Sequence, residues 1–287
     1  MCTTVCWAIK RSFGKNDREV TIVGLGGEGA LRTFGKEKAA QEVIETALEE
    51  GIGYFDSARA YSGSESYYGL VWTRRPRARA QIFQTSKSGL RTKKEALKEL
   101  DRTLLNMGTD YLDLWQIHDV RTEEDFQTID GPDGALEAFV LAKDQGKIRF
   151  IGLTGHHDPE LLTRAVKAWP IDSVLIPVNP IEGILGGFLT STLQAARAKG
   201  VAVIGMKVLG GSHFVIPGSG ISAEQLIRFA LSQPITLAIV GCSTAEEVKT
   251  LARMGRQFVP LSPEEQQKIL DFYSPYARRL AYYRGVF

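Results

Sequence analysis

From Lys36 onward the chain alternates short apolar runs with longer stretches in which apolar residues recur every three or four positions. The apolar runs are Gly53 to Asp56, Ile82 to Lys87, Leu112 to His118, Ile148 to Thr154, Ser173 to Val178, Val201 to Lys207 and Thr236 to Cys242, and they read as strands. The helical stretches between them are Lys36 to Glu50, Ser64 to Thr73, Lys93 to Leu105, Gly134 to Gln145, Pro159 to Ala168, Phe188 to Lys199, Ala223 to Leu231 and Ala245 to Met254. Gly51, Gly108 and Gly146 stand as stop signals. Before this rhythm, Thr3 to Ile9, a turn at Gly14 to Asp17 and Glu19 to Gly24 predict a hairpin leading into a first strand at Val20 to Val23. With that strand there are eight strand-helix pairs.

Apolar strands alternating with amphipathic helices imply parallel pairing with helices on the sheet face, and eight of them imply closure. No linker rich in Pro, Gly or Ser divides the chain. The pattern therefore predicts one α/β domain over residues 1 to 287, a (β/α)8 TIM barrel with an N-terminal β-hairpin. An extra C-terminal helix at Pro263 to Tyr273 and an aromatic tail at Tyr276 to Phe287 fall outside the eight pairs. The 287 residues suffice for such a barrel, for which about 250 is typical.

Composition narrows the function classes. A net charge of +2 from 35 basic and 33 acidic residues gives no field for nucleic acid or an anionic membrane. Arg74-Arg75-Pro-Arg77-Ala-Arg79 is the local exception and reads as a solvated helix end and turn. Cys2, Cys6 and Cys242 cannot form a closed disulfide framework, which fits a reducing compartment. Val5 to Ile9 is too brief for a signal-peptide core, and no stretch reaches the roughly 18 apolar residues of a membrane helix. A cytoplasmic protein, monomeric by default, is the expectation.

The segment Gly24-Leu-Gly26-Gly-Glu-Gly29 fits the G-x-G-x-x-G pattern of doubly wound dinucleotide-binding folds. There the third glycine opens a helix; here the helix begins only after Ala30 to Gly35, and the chain continues for eight units. The barrel reading stands over it.

In a barrel, the residues that end successive strands converge on one mouth. Strand two ends in Asp56, strand three in Lys87 and strand four in His118, with Tyr61 in the loop just past Asp56. Side chains alternate along a strand, so Tyr54 with Asp56, Thr85 with Lys87 and Gln116 with His118 share faces. A phenol is protonated near neutral pH and can donate that proton; a neighbouring lysine cation favours the phenolate and lowers its pKa; a buried carboxylate keeps the lysine charged. These roles fall to Tyr61 as general acid, Lys87 as its tuner and Asp56 as the holder of Lys87. His118 is placed to hydrogen-bond and orient a carbonyl oxygen. Protonating an oxygen beside an electrophilic carbon suits carbonyl reduction with hydride from a cofactor. A Schiff-base role for Lys87 would need a neutral amine. No metal is expected: His156 and His157, as neighbours on an extended segment, would face opposite ways, and His118 and His213 stand apart.

Phe55-Asp-Ser-Ala58 with Tyr61-Ser-Gly-Ser-Glu65, Met107-Gly-Thr-Asp-Tyr-Leu-Asp-Leu-Trp-Gln-Ile-His118 and Gly146-Lys-Ile-Arg-Phe-Ile-Gly152 resemble the signatures of the aldo-keto reductases, and the similarity runs from about Val20 to Met254. The resemblance implies an NAD(P)H-dependent reductase of aldehydes or small ketones, with Asp56, Tyr61, Lys87 and His118 as its tetrad. It implies cofactor contacts at Gly26, Gly27, Thr154, Asn179, Met206, Lys207, Val208, Leu209, Gly241, Cys242, Ser243 and Glu247. Among these, Thr154 and Asn179 are the amide ligands, Met206 stands where an aromatic ring usually stacks, and Lys207 reaches toward the pyrophosphate. NADPH is the family cofactor. Glu247 lies where an arginine commonly grips the 2'-phosphate, which makes NADH the alternative, unless Lys249 or Arg253 supplies the charge. The substrate pocket would be shaped by Glu28 to Gly35, Asp119 to Gly134, Gly210 to Ser222 and Pro275 to Phe287, with Trp115, Phe214 and Tyr282 as lining candidates. The potassium-channel β-subunits are similar to this family, so a cofactor-binding redox sensor or regulatory subunit with slow turnover is the alternative function.

Overall fold

The computed structural model describes residues 7–285. Cys2, Cys6, the Thr3 to Cys6 part of the expected hairpin and the last two residues of the tail lie outside them. Strands β1 (Lys10–Ser12) and β2 (Glu19–Thr21) pair antiparallel with Arg11 opposite Val20. The barrel strands follow: β3 (Val23–Gly29), β4 (Tyr54–Phe55), β5 (Phe83–Ser88), β6 (Leu112–Ile117), β7 (Ile148–Thr154), β8 (Ser173–Pro177), β9 (Ala202–Met206) and β10 (Leu237–Cys242). They are parallel in sequence order, and β10 pairs with both β9 and β3 to close the ring. This is the (β/α)8 barrel expected from the sequence, with its N-terminal hairpin and C-terminal helix.

The first barrel strand is displaced from its expected place. Apolar pattern favoured Val20 to Val23, yet Val20 and Thr21 belong to the hairpin and the glycine-rich Val23–Gly29 segment is β3. The glycines are there because neighbours come close. A Cβ on Gly26 would stand 2.9 Å from the Gly241 nitrogen, and one on Gly24 would meet the Tyr54 ring at 2.7 Å. A strand built of residues without side chains carries no alternation to read. The G-x-G-x-x-G segment is thus a strand rather than a phosphate loop, and Gly29, at φ 72°, leads only into a short turn at Ala30–Arg32. Helix Glu37–Glu49 comes later.

Two packed layers hold the fold. Inside the ring, Tyr54, Phe83, Leu114, Leu175, Ala202, Ile204 and Leu237 form an interior cluster. Several are the first residues of their strands, so the cluster lies toward the strands' N-terminal ends. The hairpin plugs it: Phe13, fully buried, sets its ring 4.8 Å from Phe83 and 5.3 Å from Phe150. Outside the ring a larger apolar layer joins strands to helices, with Trp115 stacked on Phe139 at 3.6 Å.

The loops hold further departures. The segment after β6 contains helix Glu123–Asp130, started by a Thr122–Asp125 capping box. After β8, a helix Pro180–Leu185 capped by Asn179 precedes a π turn at Phe188–Thr192 and helix Leu193–Lys199, where one helix was expected. Helix Pro263–Tyr273 buries Ile269 and Tyr273 against Ile181, Phe214 and Phe229. No helix among the described residues is long and apolar enough to cross a membrane. The basic cluster is only partly solvated: Arg79 is 5% exposed and paired to Asp113 at 2.9 Å.

Candidate active site

Four chemically active side chains meet at the carboxyl ends of β4, β5 and β6. Asp56 follows the two residues of β4, tied in by its N–H to the Leu25 carbonyl at 2.9 Å. Lys87, in β5 and 1% exposed, donates to Asp56 Oδ1 at 2.8 Å, Asp56 Oδ2 at 2.7 Å and the Ser57 carbonyl at 2.8 Å. Its three protons are committed, so its position is fixed. Tyr61 sits in the turn beyond Asp56, where its N–H bonds the Ala58 carbonyl. Its ring centroid lies 4.9 Å from Lys87 Nζ. His118 follows β6, its ring 6.0 Å from that of Tyr61 and at 86° to it. Gly27 makes room for this arrangement, since a Cβ there would fall on the Tyr61 ring.

Burial sets the electrostatics. It pushes the Tyr61 phenol up from its ordinary 10; Lys87 is the largest opposing influence, and Asp56 adds to the rise. Lys87 thus acts on the phenol in the expected direction, but the net value is raised where a lowered one was expected, because desolvation outweighs the cation. Burial would depress Lys87 itself, yet Asp56 and Tyr61 together raise it, so it stays charged. His118 is lowered to about 3 by burial and then by Lys87, which leaves a neutral ring near pH 7. The site therefore holds one fixed ion pair beside two neutral proton donors.

Sequence reasoning missed Arg32. From the turn after β3 it lies 5.1 Å from the Tyr61 ring and pairs with Glu28 at 2.5 Å. Its only signal was a cation in a loop already assigned to the pocket.

On the other half of the mouth, the residues named for a cofactor are placed as follows. Gly26 and Gly27 lie within β3, and Gly241 in β10 packs against Glu28, whose Cβ a side chain there would meet at 2.5 Å. Thr154 Oγ1 accepts from the Asp119 N–H at 2.7 Å. Asn179 is buried and engaged, donating to the Lys207 carbonyl at 3.1 Å and the Tyr283 hydroxyl at 3.2 Å while capping the Glu182 N–H. Tyr283 in turn donates to Glu182 Oε1 at 2.6 Å, and Arg284 pairs with the same carboxylate, which fixes the tail over the mouth. Met206 packs on the interior cluster, Val208 is buried and Leu209 half-buried.

Lys207 is half-buried, holds φ 53° and faces the Tyr283 ring at 5.8 Å. Burial holds its pKa below the ordinary value, with Glu28 pulling the other way. Cys242 is buried, its thiol pushed up to about 12 by burial and then Glu247. Glu247 folds back to accept the Ser243 N–H at 2.6 Å at the start of helix Ala245–Arg256. Lys249 and Arg253 point to other partners, Glu246 at 2.6 Å and Glu224 at 2.8 Å.

Of the lining candidates, Trp115 and Phe214 are core. Trp115 alternates with the inward Leu114 and Gln116, so it must face the helices. Phe214 is fully buried beside Tyr273. Tyr282 does reach the mouth loops, donating to the Gly210 carbonyl at 2.9 Å. A cleft of about 400 Å³ opens beside it, lined by His213, Ile216, Tyr276, Arg279, Leu280 and Tyr282. The expectation for the paired histidines is overturned. His156 and His157 lie in a turn rather than an extended run, and their rings sit side by side with centroids 4.2 Å apart.

Comparison with known proteins bears on the family and the fold. Residues 22–215 match the family model described as the aldo/keto reductase family. An uncharacterised oxidoreductase of Bacillus subtilis is 29% identical over 180 residues, 58% of this chain and 55% of its own length. An aldo-keto reductase of Schizosaccharomyces pombe whose name specifies NADP(+) is 27% identical over 207 residues, 67% of this chain and 58% of its own length. The chain thus spans somewhat over half the length of these two relatives. The holo-form structure of an aldo-keto reductase from Bacillus halodurans superposes with a TM-score of 0.76 at 21% identity, covering 92% of this chain and 96% of that one.

Proposed function

Because the chain belongs to the aldo/keto reductase family, we propose that it reduces an aldehyde or small ketone to the alcohol, with NADPH as hydride donor, NADH as the alternative and Tyr61 as the acid. The observation that carries this reading is the Lys87 ammonium locked on Asp56, with the Tyr61 ring 4.9 Å away and neutral His118 beyond it. His118 donates a hydrogen bond to the substrate carbonyl oxygen and aims it at the phenol. As negative charge grows on that oxygen, Tyr61 passes its proton to it, and the positive field of Lys87 stabilises the phenolate left behind. Asp56 holds Lys87 charged throughout. The nicotinamide cofactor supplies the hydride when bound.

The chain's residues fit such a cofactor in one respect and resist it in another. Lys207, a half-buried cation facing an aromatic ring, suits a pyrophosphate, and the start of helix Ala245–Arg256 suits a phosphate. Glu247 already caps the Ser243 N–H there, so a 2'-phosphate must compete with a carboxylate for that amide. The yeast relative's NADP(+) name favours NADPH; Glu247 favours NADH. Initial rates with an aromatic aldehyde and each cofactor, on wild type and Tyr61→Phe, test the proposal. Turnover lost by at least about 10²-fold in the variant supports it. Equal rates in both proteins would remove Tyr61 from the reaction, and cofactor binding without turnover would favour the redox-sensor function.

A further inference from the structure

We propose that Asp119, His156 and His157 form a binding site for a divalent transition-metal ion of the zinc type, at the barrel mouth beside His118. Asp119 follows β6 and the two histidines follow β7, so the site joins two adjacent mouth loops. Asp119 Oδ1 lies 3.2 Å from His156 Nε2 and 3.8 Å from His157 Nε2, and the three ligand atoms are all within 4.8 Å of one another. Zinc bonds of about 2.0–2.2 Å set tetrahedral ligand atoms about 3.4 Å apart, so the cluster needs little movement to close on an ion.

The hydrogen-bond pattern calls for a cation. His156 Nδ1 is 2.7 Å from the Tyr283 carbonyl oxygen, which can only accept, so that nitrogen carries the hydrogen. In a neutral ring Nε2 then presents a lone pair, and what it faces is a carboxylate oxygen. Two acceptors at this separation repel unless something positive lies between them. Asp119 Oδ2 is held by Arg121 at 2.8 Å, which leaves Oδ1 directed at the histidines. Among the described residues, neither Asp119 Oδ1 nor His157 Nε2 has a hydrogen-bond partner, although both atoms are buried. Unsatisfied buried polar atoms are rare and call for a ligand.

Outer contacts already orient the ligands, as metal sites require. The Tyr283 carbonyl fixes the His156 tautomer, Thr154 Oγ1 takes the Asp119 N–H at 2.7 Å, and Arg91 holds the Asp119 carbonyl at 2.8 Å. Two imidazoles and one carboxylate favour zinc, cobalt or nickel over magnesium and calcium, which take all-oxygen sets.

The test reads metal alone and does not depend on carbonyl reduction. Chelator-treated protein carrying Cys2→Ser and Cys6→Ser, so that no thiol outside the described residues competes, is titrated with Co²⁺, and Zn²⁺ is then used to displace it. One equivalent is expected, with visible d–d bands and no sulfur charge-transfer band. His157→Gln and Asp119→Asn should each weaken binding at least about tenfold. His157→Gln is the cleaner variant because His157 Nε2 has no native hydrogen bond to lose, and its melting curve without metal checks folding. Absence of stoichiometric binding in the parent protein overturns the proposal, as does binding that His157→Gln leaves unchanged. The first of these outcomes would assign the positive charge between Asp119 and His156 to a proton.

Discussion

Asp113 and Asp56 are buried aspartates at opposite ends of this barrel, and they are neutralised in different ways. Asp113, near the start of β6 and fully buried, accepts from Arg79 at 2.9 Å, Arg149 at 2.7 Å and the Gln84 N–H at 3.0 Å. Both guanidinium groups lie 4.3 Å from the Tyr111 ring. Asp56, at the opposite end, is held by a single lysine and by Thr85 Oγ1 at 3.1 Å. Two guanidinium groups and a backbone N–H occupy both oxygens of Asp113. The compact ammonium on Asp56 keeps its field open to a phenol and a neutral imidazole. Burial of an ion pair therefore does not by itself mark a reactive site. What marks it is a point charge with neutral proton donors within its reach.

The largest effect expected from breaking this contrast is at Lys87. Lys87→Met leaves Asp56 buried without a cation, which should cost about 3–5 kcal/mol in urea unfolding and lower turnover about 10²-fold or more. Arg79→Met should cost about 3 kcal/mol while leaving kcat per folded molecule unchanged, because Arg149 still holds Asp113. Equal losses of kcat in both variants would erase the distinction between the two ends. The double variant Lys87→Met with Asp56→Leu sharpens it. Replacing a buried ion pair by apolar groups of similar size should return stability to within about 2 kcal/mol of wild type, with turnover still absent. Recovery of turnover would show that the pair is not part of the chemistry.

These two ends were not equally legible in the sequence. The upper one was, because Asp56, Lys87 and His118 end consecutive apolar runs and alternation alone places them on one side. Arg79 read as a solvated cation, since nothing local says that it crosses under the barrel to Asp113, 34 residues later. The first barrel strand was hidden for a related reason: its glycines answer to neighbours on β4 and β10, and hydrophobic pattern records a residue's own side chain only. Glu247 on the Ser243 N–H, Tyr283 on Asn179 and the turn that brings His156 beside His157 are likewise contacts between a side chain and backbone or tail, where periodicity says nothing.

A smaller effect is expected where backbone shape supports the upper site. Gly27→Ala would place a methyl group on the Tyr61 ring, so the phenol must move. Overpacking of this kind costs about 1–3 kcal/mol, and displacing a catalytic group by about 1 Å can cost 10²-fold in rate. Gly89→Ala, just past β5 with nothing within 4 Å of the added carbon, is the matched control and should change turnover by less than about twofold. A Gly27→Ala protein as active as the control would mean that the ring's position is not set by β3.

The smallest effect concerns the alkaline limb of reduction. Only the protonated phenol can act as the acid, and burial raises its pKa above the ordinary 10, so kcat/KM should stay level through pH 9 and decline only beyond 10. Arg32 opposes that rise, because a cation near the ring favours the phenolate, while Glu28, its ion-pair partner, adds to it. Arg32→Ala removes the opposing charge and leaves Glu28 unpaired. Both changes disfavour the phenolate, so the alkaline decline should move to higher pH, with kcat at pH 7 altered little. A shift to lower pH would mean that Arg32 does not act on Tyr61 through its charge, and an unchanged limb would assign the decline to a group other than the phenol.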